Sequence, residues 1–153
     1  MARWGVAFNK GSASVQGVGY LAAAASSPRR AKVYEITFGS GATPGDNVFI
    51  HVVQRMSGVG SLAGTAKTPN ALDPADSLAS TIVATDTVTA DSANLTSGAF
   101  LKNVALNQRA TFRWVAAPYG ELIIPATANN GLMLGVSAAT TSVLNDDAMY
   151  EEY

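Results

Sequence analysis

The sequence predicts an all-β fold, an antiparallel β-sandwich or jelly roll, and three observations carry that prediction. Short runs alternate apolar and polar side chains with the period of two that half-buried strands show. Clusters of Gly, Pro, Asn and Asp separate those runs at spacings of about 8 to 15 residues, which suits a sandwich of about eight short strands. The one helix signal is confined to a short stretch near Asp73.

Residues 1–28 are rich in Gly, Ala and Ser and are expected to form an extended N-terminal arm ahead of a β-sandwich domain at 29–153. Ordering a Gly-rich arm costs roughly 1 to 2 kcal/mol of backbone entropy per residue. Burial must offset that cost, so the aromatic anchors Trp4 and Phe8 are expected to dock on a neighbouring subunit. Arg3 and Lys10 precede the apolar GVGYLAAAASS, which loosely resembles a secretion signal. The apolar part is short and Gly-interrupted, so the segment is read as part of the mature chain.

Ala31 to Phe38 is a strand, with Tyr34, Ile36 and Phe38 on one face and Val33, Glu35 and Thr37 on the other. After the loop Gly39 to Asp46, a second strand runs from Asn47 to Met56. It is apolar on both faces apart from His51, Gln54 and Arg55, which fits the middle of a sandwich or an interface. At Asn70 to Ala79, Asp73 can cap and Pro74 can open a helix of one or two turns. Thr81 to Ala90 and Phe100 to Leu106 prefer strand, and Asn107-Gln108 is a turn. In the stretch 108–137, the runs Ala110 to Ala116, Glu121 to Ile124 and Leu132 to Val136 are expected to form one antiparallel unit. Its reversals fall at Pro118-Tyr119-Gly120 and Asn129-Asn130-Gly131. Phe112 and Trp114 share the face expected to pack on Tyr34, Ile36 or Phe38. Thr140 to Leu144 and Ala148 to Tyr153 close the sheets around a turn at Asn145-Asp146-Asp147.

Composition narrows the function. The chain has 153 residues, is 48% hydrophobic and is only 14% charged, so it can fill one core with few charges left for its exterior. A formal net charge of -1 provides no broad positive field for nucleic acid. No run approaches the ~20 apolar residues of a membrane-spanning helix. With zero cysteines there is no disulfide framework or thiolate metal site. The single His51 has no second histidine to share a metal or activate a nucleophile, and no Gly-x-Ser-x-Gly elbow occurs. No catalytic, metal or cofactor residues are therefore assigned, and an enzyme is not expected. Arg29, Arg30 and Lys32 form a basic cluster, whereas Asp146, Asp147, Glu151 and Glu152 crowd the C-terminal end. These unlike ends are expected to meet between subunits, with Trp4, Phe8, Arg29, Arg30 and Lys32 as the partner-contact residues.

Three stretches, SSPRRAKVYEITFGSGATPGDN (26–47), NALDPADS (70–77) and LNQRATFRWVAAPYGELIIPATANNGL (106–132), resemble small structural proteins of tailed bacteriophages, of the capsid decoration or cement kind. The resemblance implies a non-enzymatic homo-oligomer, a trimer, on the exterior of the virion. There it would bind the major capsid protein and staple its neighbouring subunits together, without cofactor. The alternative is a glycan- or receptor-binding module on a virion or cell surface, which would use exposed aromatics such as Tyr20, Trp114 or Tyr119.

Overall fold

The computed structural model describes residues 1–10, 13–41, 43–59, 64–76, 80–86, 88, 95–140 and 142–153. These residues form β1 (Arg3–Lys10), β2 (Ala13–Ala23), β3 (Ala31–Ser40), β4 (Val48–Met56), β5 (Thr65–Lys67) and β6 (Asn70–Ala71). The rest are β7 (Ile82–Asp86), β8 (Leu95–Asn107), β9 (Phe112–Val115), β10 (Leu122–Ile124), β11 (Gly131–Thr140) and β12 (Leu144–Glu152). One antiparallel sheet has the order β10-β3-β12-β1-β6, with β9 also on β3; the other runs β5-β7-β2-β11-β4-β8. Their inner faces share one apolar core, so the expected β-sandwich is present.

The first 28 residues are not an arm. β1 lies between β12 and β6, and β2 lies between β7 and β11, so this stretch supplies an interior strand to each sheet. The reason is in the alternation of RWGVAFNK, which turns Trp4, Val6, Phe8 and Lys10 inward. Trp4 stacks on Tyr150 at 5.9 Å between ring centroids. The Phe8 ring crosses to the opposite sheet and lies on Gly19, where an added Cβ would fall 2.3 Å from Phe8 Cδ1. The glycine there is a packing requirement, and Trp4 and Phe8 are satisfied inside their own chain.

β3 and β12 pair along their whole length, with an irregularity between Met149 and Tyr150. Ala31 and Val33 face the core on one side of this bulge, and Ile36 and Phe38 on the other. The extra residue thus shifts the alternation and leaves Tyr34 and Glu35 side by side on the outer face. β12 is continuous from Leu144 to Glu152, so the turn expected at Asn145-Asp146-Asp147 is absent; β1 and β3 flank this segment and complete its backbone pairing.

Residues 108–137 do not form a unit of their own. β9 and β10 lie end to end along β3, on Glu35 to Phe38 and on Ala31 to Val33, whereas β11 belongs to the other sheet between β2 and β4. The reversal at 127–130, where Asn129 takes a φ of 63°, carries the chain across the sandwich rather than back along its neighbour. The short helix expected at Asn70 to Ala79 is replaced by β6 and a turn in which Asp73 Oδ1 accepts from Ala75 N at 2.9 Å. Asp73 caps, but nothing helical follows it among the described residues; 77–79 lie outside them.

β4 is apolar on both faces, as its sequence implies. Phe49, His51 and Val53 point into the sandwich, while Met56 joins Tyr20, Ala22, Met133 and Val88 in a second cluster on the outer face of the same sheet.

Candidate functional site

The charged clusters resolve within one chain. Arg29 and Arg30 are exposed, and the Arg30 carbonyl accepts from Tyr153 N at 3.1 Å. Lys32 pairs in register with Glu151 and holds its ammonium 5.0 Å from the Tyr153 ring centroid. Lys32 and Glu151, from the basic and acidic ends expected to meet between subunits, are therefore neighbours on β3 and β12, while Arg29 and Arg30 precede β3 and are exposed. Alternation along β12 sends Asp146 and Glu152 inward and Asp147 and Glu151 outward, which separates what looked like one acidic run.

Glu152 is a structural tie. Its carboxylate accepts from Thr81 N at 3.0 and 3.1 Å, from Thr81 Oγ1 at 2.7 Å, from Ile82 N at 3.3 Å and from Ser80 Oγ. These bonds fix the start of β7 in one sheet to the end of β12 in the other. No sequence motif announces this node, because its donors lie some seventy residues away. On the outer face, Arg113 bonds Glu35 through two parallel contacts of 2.6 and 2.7 Å. The Arg113 hydrogen bond holds the Glu35 carboxyl below its ordinary range, against an opposing push from burial.

His51 and Asp146 come closest to a chemical pair. Both are buried, with Nδ1 of the histidine 3.9 Å from Oδ1 of the aspartate. Burial pushes the His51 imidazole down to about 4, so it is neutral near pH 7, and pushes the Asp146 carboxyl well above its ordinary range. The Gly39 N–H opposes the Asp146 shift without reaching hydrogen-bond geometry with either oxygen. Phe38 tilts against His51 at 5.2 Å. With both side chains turned inward and buried, the pair belongs to the core of the sandwich. Among the described residues, no three His, Cys, Asp or Glu side chains gather as a metal site.

The aromatics of the binding-module alternative separate clearly. Tyr20 is buried in the outer cluster, and Trp114 is half-buried beneath the Lys102 ammonium, 4.5 Å from its ring centroid. Tyr119 is 99% exposed and takes a φ of 66° at the tip of a turn closed by Gly120 N to Ala117 O. A shallow groove of about 290 Å³ lies on the outer face of the first sheet, over Gly5, Ala7, Leu72 and Met149.

The surface that stands out is one flank of the sandwich. β8 borders the second sheet there and β9 borders the first, as the contact of Lys102 with Trp114 shows. Half-buried apolar side chains that border the core gather on this side: Phe49, Leu101, Leu106, Phe112, Trp114 and Leu122. Phe112 and Trp114 do oppose Phe38 and Ile36 across β3, as expected, yet they are only half covered. On the outer face beside β8, Val48, Ile50 and Phe100 are 62%, 39% and 45% exposed. The core opens onto solvent along this flank. The two-sided apolar pattern of β4 was the signal in the sequence; which flank it fed could not be read without the strand order.

No protein-family model matches the chain, and no curated protein matches it.

Proposed function

We propose that this chain is a non-enzymatic structural protein of a tailed-phage virion, an oligomeric decoration protein that binds the exterior of the major capsid shell and stabilises it. The observation that carries the reading is the open apolar flank formed by β8 and β9. A single folded chain that leaves this much of its core uncovered is suited to assembly. The low charge content agrees, because a charge-poor exterior disperses poorly unless partners cover it. The resemblance of 26–47, 70–77 and 106–132 to capsid decoration proteins gives the partner its identity.

The exposed Tyr119 favours a second reading, a glycan- or receptor-binding module. It is weaker, because Tyr20 is buried and the half-covered Trp114 carries the Lys102 ammonium on its ring, which leaves Tyr119 without either of them as a companion platform. Mixing the purified chain with emptied tailed-phage capsids lacking decoration distinguishes the two. Saturable co-sedimentation and a higher capsid melting temperature are expected. Absence of capsid binding together with retention on a glycan array would establish the second reading instead.

A further inference from the structure

We propose that the β8 flank is the contact between two copies of this chain, with β8 pairing antiparallel to its own copy across a two-fold axis. The proposal rests on the assembly reading above and specifies the contact through which copies meet.

Strand edges carry unpaired N–H and C=O groups, and natural sheets shield them with short strands, charges, prolines or bulges. Three of the sheet edges described here are short: β5 has 3 residues, β6 has 2, and β9 and β10 share one border with 4 and 3. β8 borders its sheet with 13 residues, has no proline, and carries Lys102 as its single charge. That ammonium is held over the Trp114 ring, where it does not guard the edge. Pairing with β4 is irregular around Leu101 but regular from Lys102 to Asn107, opposite Val53 to Val48. The second half of β8 therefore presents a straight, uncharged edge over Asn103, Val104, Ala105 and Leu106. Such an edge accepts another strand.

Size and charge select the occupant. Pairing about Val104 joins Leu101 to Asn107 of one copy to the same residues of the other over about 24 Å, and two stacked sheets with their side chains give a wall about 20 Å deep, hence an area on the order of 500 Å² from each copy. About 1,000 Å² in total is the lower end for a specific contact, so the dimer is a weak one that forms as concentration rises. The charged groups at this flank are already engaged: Lys102 with Trp114, Arg113 with Glu35, and Arg109 with Asp46. Nothing there calls for an oppositely charged partner, and an antiparallel edge is its own complement under a two-fold axis. An axis at Val104 sets Asn103 opposite Ala105 and Lys102 opposite Leu106. No like charges meet, and inward and outward faces remain continuous across the join. The pairing also brings a second wall against the half-buried Phe112 and Trp114. The contact makes a dimer rather than the trimer that the resemblance implies.

The test uses the full chain in sedimentation equilibrium, with amide exchange followed in parallel. A dimer is expected, with amides in Lys102 to Asn107 exchanging more slowly as protein concentration rises. In the paired Asn103→Lys, Ala105→Lys variant, both changes lie on exposed side chains and set like charges opposite each other, so dimerisation should weaken about tenfold. In the Asn103→Glu, Ala105→Lys variant, the same two positions become complementary, and the affinity should return. A chain that stays monomeric, sediments as a trimer, or dimerises equally in both variants overturns the contact. So does exchange in β8 that ignores concentration, which decides the matter if the double-lysine variant fails to fold. A trimer that binds emptied capsids removes this contact and leaves the decoration reading standing; a dimer that ignores capsids does the reverse.

Discussion

At the residue scale, the buried His51 and Asp146 make stability depend on pH in opposite senses. The imidazole titrates near its ordinary 6.5 when the chain is unfolded but only at about 4 in the fold. Between those values the unfolded chain binds the extra proton, so stability falls as pH drops through this window, by about 3 kcal/mol at most. Asp146 behaves the other way. Its folded value lies well above the ordinary 3.8, so above that point the unfolded chain releases a proton that the fold retains. Stability from this group is complete below 3.8 and is lost as pH rises toward the folded value. Asp146→Asn keeps the shape and removes the titration. The variant should match the natural protein below the ordinary 3.8 and exceed it increasingly as pH rises above that point, until the folded Asp146 itself ionises, at up to about 1.4 kcal/mol per pH unit. Urea midpoints across that range give the measurement; a gap that does not widen with pH would mean that Asp146 is ionised in the fold.

At the element scale, the N-terminal strands show how glycine can mislead a reading from composition. Gly19 is in mid-strand because the Phe8 ring occupies the place its side chain would fill. Gly19→Ala should therefore cost about 1 to 3 kcal/mol by overpacking, although alanine is the better strand residue. Adding Phe8→Leu should recover part of the loss. Equilibrium unfolding in urea measures both, and a Gly19→Ala variant as stable as the parent would show that the ring moves aside freely. Trp4 and Phe8 stood out in the sequence as aromatic anchors, but the Gly, Ala and Ser around and after them suggested an extended arm docked on a neighbouring subunit rather than two strands of the sandwich. β3, β4 and the core run of β11 were legible, because large apolar side chains recur at every second position. β12 was not: Asp146 sits at an inward position, so a strand that buries a carboxyl was read as a turn. The open flank was legible only as the two-sided pattern of β4, since exposure depends on which strand lies beside it.

At the scale of the whole molecule, no two strands consecutive in the chain pair with one another among the described residues. β1 and β2, the first two strands of this sequence, pair with β12 and β11, its last two. This is why local turn signals such as Asn129-Asn130-Gly131 predicted hairpins that do not form: most connections cross to the other sheet. It also means that neither sheet can be completed without both ends of the chain, and that contacts distant in sequence must form before any sheet is whole. Folding should be slow for the chain's size, in the millisecond-to-second range of all-β domains. Unfolding should be a single cooperative transition. The two tryptophans test this directly, because Trp4 reports the buried centre of one sheet and Trp114 reports the open flank. In Trp114→Phe, fluorescence follows Trp4; in Trp4→Phe, it follows Trp114. In each variant the fluorescence midpoint should coincide with the midpoint from backbone circular dichroism. If the Trp114 signal is lost at a lower denaturant concentration than the backbone signal of the same variant, β9 and its flank open as a separate unit and the interlocked strand order does not bind the molecule into one.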